Sequence, residues 1–129
     1  KLLNEINKRA TQNNRIINCL LQIHIAQEET KFGLTEMEAL SLIESSKALK
    51  NVCIKGVMGM ATNTKDEALI RREFASLKTL FLKLEKVTSD LKIISMGMSS
   101  DYELAIEEGT NMIRVGSAIF GKRDKELEV

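Results

Sequence analysis

The sequence predicts an α/β protein built on a parallel sheet, and three observations carry that expectation. Amphipathic segments and short aliphatic segments alternate strictly along the chain, the short segments are β-branched as covered strands are, and helix-capping patterns stand between them. On this pattern alone, a small doubly wound sheet and a piece of a (β/α)8 barrel are both admissible.

The elements follow in order. Residues 2–13 place Leu2, Leu3, Ile6 and Ala10 on one helical face. Arg15 to Ile25 is β-branched and alternates in its second half, which predicts a strand. Thr35 and Glu38 form a capping box that opens a helix to about Leu49. Val52 to Met60 predicts a short strand, and Thr64 with Glu67 a second capping box. Behind it, Ile70, Phe74, Leu77, Phe81 and Leu84 recur at helical spacing and give the clearest amphipathic helix. Leu91 to Met96 predicts a third strand, and Ser100 with Glu103 a short capped helix to Glu108. Gly109 stands where a helix end favours left-handed backbone. Asn111 to Val115 predicts a fourth strand, a short helical turn can follow, and the charged segment from Lys122 reads as a solvated tail.

Bulk properties exclude several classes of function. The chain has 129 residues, 43% hydrophobic and 29% charged, which suits one ordinary soluble domain with a real core. A formal charge of +1 and few aromatic residues argue against a nucleic-acid partner. No apolar run approaches the length of a membrane span, and Lys1-Leu2-Leu3-Asn4-Glu5 does not read as a signal peptide, so a cytoplasmic location is expected. Cys19 and Cys53 lie in apolar runs without further ligands nearby, which predicts free thiols rather than a disulfide or a metal site. Proline is absent, although average usage of about 5% would give roughly six.

In either architecture, functional residues gather at the carboxyl ends of the strands. Two segments stand out there. Gly97-Met98-Ser99-Ser100-Asp101 and Gly116-Ser117-Ala118-Ile119-Phe120-Gly121 are each a small turn leading into a helix, the design that offers backbone N–H groups and a hydroxyl to an anion. Taken singly, each is more often just a tight turn with an N-cap; occurring on successive strands, they fit a phosphate site as well as they fit a pair of capped turns. Alternation puts Met112, Arg114 and Gly116 on one face of the last strand, so Arg114 is expected in the interior, where its charge needs a carboxylate or a ligand. His24, the sole histidine, is expected to be a hydrogen-bonded interior residue, since no nucleophile stands at a motif spacing from it. Glu28-Glu29-Thr30-Lys31 is a solvated loop or a rim contact. Nothing in the settings of Lys31 and Lys55 selects either for amine chemistry. Met58, Met60, Met96 and Met98 are core filler by default, and those at strand ends can line a pocket.

Four segments together carry a specific resemblance. Leu20-Leu21-Gln22-Ile23-His24-Ile25-Ala26 with Glu28-Glu29-Thr30-Lys31-Phe32-Gly33 resembles the fifth-strand region of the YggS/PROSC-type pyridoxal-phosphate homeostasis proteins. Gly56-Val57-Met58-Gly59-Met60-Ala61 is similar to their sixth strand, and Ser95 to Asp101 and Arg114 to Gly121 to their two signature segments. The likeness runs through essentially the whole chain.

The resemblance implies a (β/α)8 barrel like the N-terminal domain of alanine racemase, binding pyridoxal 5′-phosphate (PLP). Residues 1–129 would then be a single domain, the C-terminal half of that barrel with parallel strands five to eight. Ser99, Gly116 and Ser117 would contact the phosphate, and Arg114 would face the pyridine nitrogen and keep it unprotonated, favouring storage over vigorous carbanion chemistry. The role implied is PLP homeostasis, with no catalytic residue and no metal. His24 stands where the family usually has asparagine, and the strand bearing the family's Schiff-base lysine has no counterpart here. A half-barrel exposes sheet edges and an apolar face, which predicts self-association or pairing with the other half. Two further functions fit the same loops: a racemase-like PLP enzyme, which would need that lysine and an opposing acid–base group, and a binding module for another phosphorylated metabolite.

Overall fold

The computed structural model describes residues 1–28 and 32–121. Glu29, Thr30, Lys31 and the charged segment from Lys122 lie outside the described residues, and so do the expectations placed on them.

The elements run α1 (Leu2–Gln12), β1 (Ile17–Gln22), α2 (Glu36–Ser46), β2 (Val52–Gly59), α3 (Glu67–Glu85), β3 (Ile93–Met96), α4 (Tyr102–Glu107) and α5 (Ser117–Phe120). The three strands form one parallel sheet in the order β1-β2-β3. This is the α/β alternation that the sequence predicts.

Local chemistry sets most boundaries. Thr35 and Glu38 make the full capping box, with the Glu38 amide donating to Thr35 Oγ1 at 3.2 Å and the Thr35 amide donating to Glu38 Oε1 at 3.0 Å. α2 stops at Ser46, short of Leu49. For α3 the capping residue is Asp66 rather than Thr64: Asp66 Oδ1 accepts from the Leu69 amide, while Thr64 Oγ1 accepts from the amide of Asp66. The α4 expectation also shifts. Asp101 precedes the helix but turns its carboxylate back to the Met98 amide at 2.7 Å, and α4 has no side-chain cap among the described residues, from Ser100 or otherwise. Gly109 follows α4 with φ of +99°, as expected.

The fourth strand is corrected. Asn111 to Val115 lies along β3, where the Met96 amide donates to Met112 O and the Arg114 amide to Gly97 O, but only one bridge forms, between Ser95 and Met112. The segment has a partner on one side only among the described residues, so its ladder stays incomplete. β1 is likewise shorter than expected and ends at Gln22, although Ile23 bridges to Leu34.

The core lies between the sheet and its helices. Leu21, Val57 and Ile94 are register partners across the three strands and share one face, buried against Phe74, Leu77 and Leu84 of α3. On α1, Leu3 and Ala10 are buried while Leu2 is 73% exposed, so the helix packs on a narrower stripe than expected. The opposite sheet face is only partly covered: Leu20, Gln22, Met58 and Ile93 are half-buried and Met112 is exposed. β2 and β3 approach so closely that a Cβ on Gly56 would meet Ile93 O at 1.8 Å, which admits only glycine there.

Candidate functional site

All three strands end at the same edge of the sheet, and the loops leaving them build one groove there. Its volume is about 1210 Å³, and its walls are residues 60–65 after β2, residues 97–104 after β3, and Gly116 with Ser117.

The wall after β2 is held by a buried carboxylate. Glu73 of α3 is 6% exposed. Its Oε1 accepts from the Thr62 amide and its Oε2 from the Thr62 hydroxyl, both at 2.6 Å. Thr62 Oγ1 in turn accepts from the Gln27 amide at 2.9 Å, which brings in the loop after β1. Glu28 Oε1 adds a second tie by accepting from the Asn63 amide at 3.0 Å. A charge withdrawn from water is costly unless hydrogen bonds satisfy it, and here the bonds that satisfy it also fix two loops. The sequence reading missed this group. Its signal was available: Glu73 stands on the apolar stripe of α3, three residues after Ile70 and four before Leu77.

The opposite wall holds the sequence-predicted residues. Gly97 takes φ of +107°, and a Cβ there would lie 2.7 Å from Ala105 Cβ, so glycine allows the chain to turn tightly off β3. The turn presents Ser99, whose Oγ accepts from the amides of Gly116 at 3.1 Å and Ala118 at 3.0 Å. Ser99, Gly116 and Ser117 thus come together at one end of the groove. Among the described residues, the amides of Ser99, Ser100 and Ser117 have no protein acceptor. A Cβ built on Gly116 would meet nothing within 4 Å, so this corner is open. Such a set of amide and hydroxyl donors around open space suits an oxyanion.

Other expected residues fall differently. Ile113 packs toward Gly97, so the alternation is as read, but Arg114 on the other face is exposed, has no ion pair among the described residues, and does not line the groove. Its expected burial fails because that face of the sheet is only partly covered by the described residues. His24 is half-buried and its amide donates to Leu34 O, while among the described residues its ring has no hydrogen-bond partner. Met60 and Met98 line the groove, whereas Met96 is fully buried in the core. Cys19 and Cys53 are free, and burial, with a smaller effect from Cys53, pushes the Cys19 thiol up. No cluster of metal-ligating side chains occurs among the described residues. No helix among them is long and apolar enough to cross a membrane.

A parallel α/β sheet whose strand-end loops meet in one groove defines the class of α/β proteins that place a ligand site at the carboxyl ends of their strands. The chain belongs to the family described as alanine racemase, N-terminal domain, whose model matches residues 1–124. It is 34% identical over 126 residues to the pyridoxal phosphate homeostasis protein of Pasteurella multocida, covering 96% of this chain and 54% of that one. To the protein of the same name from Helicobacter pylori it is 38% identical over 121 residues, covering 93% and 53%. Among solved structures it is similar to PipY of Synechococcus elongatus. The form without PLP gives a TM-score of 0.86 at 30% identity, over 93% of this chain and 57% of that one. The form with PLP bound gives 0.82 at 29% identity, over 93% and 56%. The chain spans about half the length of the curated relatives it matches.

Proposed function

We propose that this chain supplies the phosphate-holding half of a PLP site and serves intracellular PLP homeostasis. The observation that carries the reading is the meeting of Ser99 with Gly116, Ser117 and Ala118 at the open corner of the groove. The relatives' name and the PLP-bound neighbour supply the ligand's identity.

In this reading the chain is a single domain, strands five to eight of a (β/α)8 barrel, with Asn111 to Val115 as the incipient eighth strand. The half-covered face bearing Leu20, Met58 and Ile93 is the one a closed barrel would enclose. Pairing with the other half, or with a second copy, would cover it.

The donor set fits the cofactor's phosphate. The Ser99 hydroxyl and the Ser117 amide would hold it, and Gly116 keeps the approach clear of a side chain. Arg114, exposed, would turn to the pyridine nitrogen as the cofactor enters. PLP supplies an aldehyde and an electron-accepting ring when bound; an unprotonated ring nitrogen beside arginine makes that ring a weak electron sink, which suits carriage rather than turnover. No residue of the groove is assigned a catalytic role.

Equilibrium dialysis tests the proposal with PLP and with pyridoxal, which lacks the phosphate. Retention of PLP alone, released by dialysis after borohydride treatment, is the expected result. Equal retention of both compounds would overturn it.

A further inference from the structure

Resting on the reading of the groove as a ligand site, we infer that Glu73 is a positioning residue. Through Thr62 it hangs the loops after β1 and β2 on α3 as a single wall, and so sets how tightly the groove holds a ligand that it does not touch. Glu73 is buried behind the groove, whereas Thr62, Asn63 and Glu28 line it.

The tie is a relay with a fixed direction. A threonine hydroxyl has one proton to give and lone pairs with which to accept. Thr62 gives its proton to Glu73 Oε2 and accepts from the Gln27 amide. Glu73 Oε1 holds the Thr62 amide as well, so the hydroxyl is fixed at both ends of its own residue. Hydrogen bonds in such a chain strengthen one another where water is scarce. Losing the carboxylate therefore frees the hydroxyl to turn and weakens its hold on Gln27, a residue that Glu73 does not itself bond.

α3 offers a second footing one turn further on. Leu77 stands four residues after Glu73, on the same side of the helix, and is fully buried. A Cβ on Gly59 would lie 2.9 Å from Ile25 Cδ1 and 3.0 Å from Leu77 Cδ2, so the end of β2 is seated between these two side chains. The apolar contact seats the bases of both loops, and the relay seats their groove side. One residue beyond the relay, Glu28 Oε1 accepts from the Asn63 amide and joins the loops again. Tied at two successive positions and to one helix, the loops form one wall. A wall ordered beforehand spares a ligand the cost of ordering it.

The experiment follows amide hydrogen exchange at Gln27 without ligand, and PLP affinity by dialysis, in wild type, E73A, T62V, T62S and E73A/T62V. The amides of β2 and β3 report that each variant is folded. E73A and T62V are each expected to speed exchange at Gln27 by roughly tenfold and to weaken PLP binding roughly threefold to tenfold. T62S keeps the hydroxyl and stays near wild type in both. Because the two groups act in series, the double variant exchanges no faster at Gln27 than the faster single one. Should E73A not fold, T62V against T62S carries the same comparison. Unchanged Gln27 exchange in E73A, or additive effects in the double variant, would overturn the relay. A loosened Gln27 with wild-type PLP affinity would overturn the positioning role. A wild-type chain that fails to bind PLP would sink the ligand reading and the positioning role with it, while the exchange data would still judge the relay.

Discussion

Glu73 grips Thr62 at two points, its amide and its hydroxyl, each at 2.6 Å, and through that hydroxyl reaches the Gln27 amide. One carboxylate on α3 therefore sets the loops after β1 and β2 against each other. E73A leaves the Thr62 donors to water that reaches them poorly, and should cost about 2 kcal/mol. E73Q keeps the shape and one acceptor, and should cost about half as much. Urea denaturation of the two variants measures both; equal, negligible losses would show that the grip contributes nothing.

Two side chains of α3 contrast. Phe74 is fully buried, whereas Leu82, also on α3, is 48% exposed. F74A should lose about 3–5 kcal/mol through lost burial and an unfilled cavity. L82A should change stability by no more than about 0.5 kcal/mol. The same denaturation series reads the difference.

The α2 capping box predicts a pH dependence. Hydrogen bonds from the Thr35 amide, then from its side chain, hold the Glu38 carboxyl below its ordinary value of 4.5. A carboxylate with a depressed native pKa stabilises the fold above its unfolded pKa and loses that contribution as the pH falls through the native one. E38Q cannot titrate. Its unfolding midpoint should therefore fall less than that of wild type as the pH drops below about 4.5. Parallel falls in the two proteins would contradict the assignment.

Cys19 offers a chemical check. Burial, with Cys53 second, raises its pKa above 9.0 and starves it of thiolate. Alkylation of Cys19 by iodoacetamide at neutral pH, followed by peptide mass spectrometry, should run slower than for a free thiol. A rate equal to the free thiol's would refute the protected setting.

What the sequence made legible follows from local rules. The Thr35–Glu38 box, the α3 stripe from Ile70 to Leu84 and the turn at Gly97 depend on near neighbours, and each stands as read. Ser99, Gly116 and Ser117 line one groove because loops leaving the ends of parallel strands lie along the same edge. The misreadings are tertiary. Whether Asn111 to Val115 completes a strand, and whether Arg114 is buried, depends on what lies beyond the sheet edge, which periodicity does not encode. Thr64 and Asp66 are both capping residues by type, and only the backbone at the turn chose Asp66. The Glu73–Thr62 contact spans 11 residues across a loop, and only the charge on an apolar stripe hinted at it.

The central claim is that a phosphate sits in the corner formed by Ser99, Gly116 and Ser117. A titration of the ¹⁵N-labelled chain with PLP, read as amide shifts residue by residue, tests it most directly. The account predicts saturable shifts largest at Ser99, Ser117 and Ala118, reproduced in part by inorganic phosphate and absent with pyridoxal. Shifts that centre elsewhere, or that pyridoxal produces equally well, would contradict it.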